Sequence, residues 1–482
     1  MNAPAQIALA VALVAASAAG GAACTPRPPP VQVAGRLVAA GPATGLSASP
    51  DGSRIAWLGG CAPGGATAAP ASGDAPAGGG AVSCALQVAA AAGGDPARVA
   101  DGVAPGPAPY AWGPDGSVAA LSRRTSPSGA GVLTVMGPDG KARVASPAAV
   151  AFALGSGGAL AVAEERGLRV EAAGREPAVL AGGAGATEVA FAPGASLAVA
   201  ARVRGADGSP SLLMWRDGAG AAAVVARDVG AWAFSPDGRW LAAQAGMLPG
   251  SEGVVVVVPV AAPGAAPPVQ VVARGAGEFR WGPAGAGLGW LESFDPRIRS
   301  GVLVTGRPGE APLRRGDRVT AWEVSPGGEV ASVRHAVAGG YSAILELTPP
   351  AGGAPVEVAR DPAGMAFGAD GRWLWYRAAC SPSGDACALF RVKAGGGTPE
   401  QVADAVVAFA LDPVRSDRAL VTTARRDGQG GDLGLWTGGR IAPLDGPVVP
   451  GSAVLAGGPA GGRAAWISSA PGRSGVRIAD LP

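Results

Sequence analysis

WAFSPDGRWLAAQ, residues 232–244, carries a whole strand–turn–strand in one short stretch. Phe234 stands two places before Pro236. Pro236 fixes φ at the first turn position, Asp237 accepts backbone hydrogen bonds, and Gly238 takes the left-handed conformation. Apolar residues then resume with the period of a strand. The pattern returns in LSASPDGSRIAWL (46–58), YAWGPDGSVAALS (110–122) and MAFGADGRWLWYR (365–377). Pro50-Asp51-Gly52, Pro114-Asp115-Gly116 and Ala369-Asp370-Gly371 are therefore equivalent turns. Aligning weaker copies on the proline slot adds Leu154, Pro193, Pro283, Pro326, Pro413 and Pro459. The anchors stand 39 to 47 residues apart, after a first interval of 64 that holds an insertion.

Each repeat reads as four strands. A bulky residue (Trp112, Phe152, Phe191, Trp281 or Phe367) ends the first strand, and the second follows the turn. A looser loop leads to a third strand such as Val254–Val258, and a Gly/Pro turn leads to a short fourth strand such as Val271-Val272-Ala273-Arg274. Four strands in about 43 residues is the period of a β-propeller blade. The fold class expected is all-β: a propeller of four-stranded blades over residues 36–482, with 8–10 blades in one large ring. Two smaller propellers side by side, or eight blades with inserted copies, are the alternatives. The chain opens on a fourth-strand-like Arg36-Leu37-Val38-Ala39 and closes on a third-strand-like segment, 475–480. The N-terminal strand can thus complete the last blade and leave no open edge.

The motif resembles the WD40-like repeats of the TolB-type propeller family, over roughly residues 36–482. The resemblance implies the fold and leaves activity open, because propellers host many functions. The N-terminal domain that precedes the propeller in TolB has no counterpart in this sequence, so TolB's own role is not implied.

Composition agrees with turn-rich β structure. Gly 80 and Pro 45 supply the turns, and 48% hydrophobic residues supply a core that a disordered chain lacks. Charged residues are 15% and the net charge is +2, with no basic run, so nucleic acid is not an expected partner.

Residues 1–23 read as an export signal, with a small-residue apolar run from Ile7 to Ala23 that is short for a membrane span. Gly21-Ala-Ala-Cys24 resembles a bacterial lipoprotein signal, in which Cys24 would be lipidated and residues 24–35 would form a proline-rich tether. Thr25 gives no inner-membrane retention signal, which implies the outer membrane where there are two. Gly21 and an uncharged start, MNAPAQ, depart from that pattern, and the alternative is an ordinary signal cut near Ala23. With Cys24 set aside, four cysteines remain. Cys61 and Cys380 each lie eleven residues after the turn-proline slot, and Cys84 and Cys387 each open the next strand. Cys61–Cys84 and Cys380–Cys387 are thus expected to clip the same hairpin in two repeats, in an oxidising compartment; four buried thiols are the alternative.

Catalytic chemistry is hard to assemble. His335 is the sole histidine and reads as a loop residue just after a second strand. No nucleophile elbow or phosphate-binding loop occurs. Asp51, Asp115, Asp237 and Asp370 read as turn caps, since calcium needs clustered oxygens. The tryptophans fall mostly on strand positions that wedge between blades. No catalytic, metal or cofactor residue is assigned. The expected function is a cell-envelope scaffold, periplasmic or at the cell surface, whose rim loops engage a protein or a cell-wall glycan while its lipid holds it to the membrane. The alternative is an enzyme acting on a sugar or peptide in the central channel. A convergent cluster of Asp, Glu and Arg at one channel mouth would favour the enzyme, and an uncharged channel with a broad apolar rim the scaffold.

Overall fold

The computed structural model describes residues 35–481 apart from 64–81, 107–108, 125, 127–128, 181–184, 195–196, 206, 218–221, 247–252, 261–268, 284, 336–342, 426–429 and 457–461. The leader, Cys24 and the tether lie outside the described residues. The described chain is all-β: antiparallel strands, with a single 3-10 turn at Ser156–Gly158.

The first repeat sets the pattern. Ala43–Ala48, Arg54–Pro63, Val82–Ala90 and Ala97–Val103 pair in chain order as one four-stranded sheet. Residues 188–227 and 232–274 repeat that order. Elsewhere neighbouring repeats share a long strand. Ala142–Leu154 pairs with Gly131–Met136 through its first half and with Leu160–Glu164 through its second. Leu313–Val324 and Glu400–Leu411 do the same between later repeats. Of the weak copies, Leu154 ends a strand and pairs with Leu160, and Pro193 and Pro413 stand between paired strands; Pro459 lies outside the described residues.

Side chains alternate across each strand, so each sheet presents two apolar faces and must bury both. Among the described residues the core accordingly falls into clusters between successive repeats. Leu86 and Val88 of the first meet Val118 and Met136 of the second, Leu212 and Met214 meet Leu241 and Val256, and Leu420 and Leu435 meet Trp466. One cluster joins the two ends of the series: Ile55 and Trp57 of the first repeat pack with Ile467, Val476 and Ile478 of the last. Arg36–Ala40 pairs antiparallel with Gly475–Asp480, and Arg477 Nη1 donates to the Gly35 carbonyl at 2.7 Å. Sheets packed face to face in chain order, with the last against the first, make a propeller-like arrangement. Inner strands of adjacent repeats touch one another.

Two details recur. Opposite the third strand, the fourth carries one extra residue, a β-bulge. The extra residues are Val38, Val99, Ala145, Val225, Val272, Arg315, Val358, Val402 and Leu444, aliphatic except for Arg315, and the third repeat has none. Between the fourth strand and the next inner strand the backbone turns at a left-handed residue: Gly102, Asp228, Gly275, Arg318, Asp361 or Ala405.

Candidate functional site

The strand order divides the connections between two faces. One face carries the turns after each inner strand, together with the turns joining third to fourth strands. The opposite face carries the hairpins between second and third strands.

On the turn face, the SPDG-type residues hold the backbone. Gly52, Gly116, Gly238 and Gly371 have φ of 67, 78, 68 and 70°, and each donates its amide to the carbonyl three residues back at 2.8–3.0 Å. The Asp115 contacts are local: its carboxylate accepts from the amide and hydroxyl of Ser117. Hydrogen bonds from Ser49 and Ser53 hold the Asp51 carboxyl below its ordinary value. Burial pushes the Asp237 carboxyl up, but the Ser235 hydroxyl and the Arg239 amide outweigh it and leave it lowered. Asp370 accepts from the Arg372 amide at 2.9 Å and from the Ser416 hydroxyl of the next repeat at 2.7 Å. A Cβ on Gly238 would collide with the Pro193 carbonyl of the preceding repeat, and one on Gly371 would press on Pro326. The turn glycines thus serve close approach between repeats as well as φ.

On the hairpin face, Cys61–Cys84 and Cys380–Cys387 are both disulfides, closing the same hairpin in the first and eighth repeats. His335 is the last residue of the strand Val330–His335, half-buried, rather than a loop residue beyond it. Second-strand ends brace the next repeat: Arg202 reaches the Gly230 carbonyl at 3.2 Å, Gln244 the Ala276 carbonyl at 2.8 Å, and Arg377 the Val407 carbonyl at 2.7 Å.

Tryptophans lie between repeats. Trp57, Trp375 and Trp466 are fully buried. Trp281 Nε1 donates to the Ala233 carbonyl at 3.0 Å and Trp466 Nε1 to Asp445 at 2.7 Å.

Among the described residues, charge on the inner strands is confined to Glu188, Glu278, Arg280 and Glu323. Arg280 donates to Glu323 at 3.0 Å, Arg299 to Glu278 at 2.6 Å, and Arg202 pairs with Glu188. Burial pushes the Glu323 carboxyl up from its ordinary value, against the pull of Arg280. The turn motif does not announce the Arg280–Glu323 pair, but the sequence holds a signal for it. Three places before the anchor stand Ser47, Ala111, Ala151, Ala190, Ala233, Ala366, Ala410 and Ala456, and only Arg280 and Glu323 break that series of small residues.

No family model matches the chain, and no curated protein matches it. Among solved structures, a eukaryotic initiation factor is 13% identical at a TM-score of 0.47, covering 75% of this chain and 88% of that one. A putative TolB from Agrobacterium tumefaciens is 15% identical at 0.29, covering 54% and 94%. The β-propeller domain of the Trilobed protease from Pyrococcus furiosus is 10% identical at 0.34, covering 59% and 91%.

Proposed function

We propose that residues 36–481 form a single ring of ten four-stranded blades, exported and anchored through lipid on Cys24, that binds an envelope protein or a cell-wall glycan with its hairpin face. One observation carries the reading. The longest connection between paired strands, the eighteen residues between Pro63 and Val82, lies on the hairpin face; on the opposite face the turns after the inner strands are five or six residues long, and those joining third to fourth strands run from two, between Thr437 and Arg440, to ten, between Pro259 and Gln270. In repeat architectures, insertions gathered on one face mark the binding face. The two disulfides stiffen hairpins on that face and support an oxidising compartment. The ten anchors and the cluster joining last repeat to first support one ring.

Capture from solubilised envelope, with co-sedimentation on purified cell wall, tests the binding face. Replacing 64–81 by a short Gly-Ser turn should abolish retention, while Arg239→Ala and Arg372→Ala on the turn face should leave it intact. The opposite result would overturn the assignment. Cys24→Ser should move the protein from the membrane to a soluble fraction; a variant that stays membrane-bound would remove the anchor.

A further inference from the structure

Two arginines of the described chain are almost wholly enclosed, Arg315 at 8% and Arg418 at 6% exposure. Arg418 meets the buried carboxylate of Asp412 at 2.6 Å. Arg477, nearly as enclosed, faces Asp445 at 3.7 Å. Arg315 differs: its partners are all neutral. Its Nε donates to Thr305 Oγ1 at 2.7 Å, Nη1 to the Pro349 carbonyl at 2.6 Å and Nη2 to the Pro350 carbonyl at 2.8 Å. A guanidinium carries five N–H groups, so two remain. Enclosing a cation without a counter-charge is costly. Arg315 also occupies the bulge position that is aliphatic in the other repeats sharing it.

Arg315 lines a cavity of about 230 Å³ between the sixth and seventh repeats, on the turn face, with Thr305, Arg307, Glu310, Gly327 and Pro350. Arg307 and Glu310 pair at 3.7 Å and cancel, which leaves the single positive charge of Arg315. The volume is below the roughly 300 Å³ at which drug-sized pockets begin. We propose that this cavity binds a small oxyanion of phosphate size, taken by the two remaining N–H groups of Arg315, the Thr305 hydroxyl and the Arg307 head. Burial lowers the Arg315 pKa from its ordinary value, as expected of a cation enclosed without a counter-charge. The site is on the face opposite the hairpins, so it stands or falls independently of the partner-binding reading.

The test is calorimetric titration of the full chain with inorganic phosphate, at ionic strength held constant with chloride. Arg315→Leu restores the kind of residue found at this position in other repeats and should weaken binding at least about tenfold, the worth of one charge-assisted hydrogen bond. Arg307→Gln, at the rim, should weaken it too and serves if Arg315→Leu does not fold. Glu310→Gln should tighten binding by removing a like charge. Absence of phosphate binding in the wild type, or equal binding by wild type and Arg315→Leu, would overturn the proposal. So would a wild type that binds no phosphate beside a Glu310→Gln that does, since Glu310 would then be the counter-charge.

Discussion

Gly238 shows how much one residue answers for. Its φ of 68° already disfavours a side chain, and the Pro193 carbonyl of the neighbouring repeat fills the space a Cβ would need. Gly238→Val should therefore cost roughly 3–5 kcal/mol, strain and overpacking together. Gly174 has a similar φ of 73° with nothing within 4 Å, so Gly174→Ala should cost only about 1 kcal/mol. Denaturant unfolding of both variants checks the difference, and equal losses would show that φ alone matters. The left-handed turn at Gly238 was legible in the sequence, because Pro-Asp-Gly states it locally. The contact with Pro193 was not legible, since it depends on how two repeats pack.

At the level of strands and hairpins, local chemistry again separates what could be read from what could not. The cysteine pairs were readable because both stand at the same distance from a turn. The left-handed residues before the inner strands were not, because Arg318 and Ala405 occupy that position as well as glycine. The bulged fourth strands were equally hidden, since a one-residue register shift leaves no mark on composition. The two disulfides close loops of different length, 23 and 7 residues in separation. In the loop-entropy account, Cys61→Ser/Cys84→Ser should cost about 3 kcal/mol and Cys380→Ser/Cys387→Ser about 2 kcal/mol. Urea unfolding of the two double variants orders them; the reverse order would mean that folded-state contacts, not loop closure, set the contribution.

For the whole molecule, the ends of the chain do the closing. Arg36–Ala40 covers the edge of Gly475–Asp480, and Val38 and Ala39 pack into the cluster joining first and last repeats. A chain beginning at residue 41 should lose more than about 4 kcal/mol, beyond the ordinary range of single-site changes, and should self-associate through the uncovered edge. Melting curves and light scattering against a chain beginning at residue 35 would show it. Unchanged melting would mean that the repeats hold together without the strand. The repeat period made the propeller-like arrangement legible from the sequence, and the strand-like character of both ends made the closure legible. The inner-strand ion pair was half legible: Arg280 and Glu323 stand out from the small residues at the same repeat position, but their contact forms only when two repeats pack side by side.

The Gly35–Arg477 hydrogen bond joins residues 442 apart in sequence. A ribosome releases the chain from its N-terminus, so Arg36–Ala40 is made long before Gly475–Asp480, the strand it pairs with. Earlier repeats can pair locally, while that strand has no partner until residues 475–480 are made. A chain cut short before then leaves Arg36–Ala40 without the strand it pairs with, an unpaired edge open to other chains.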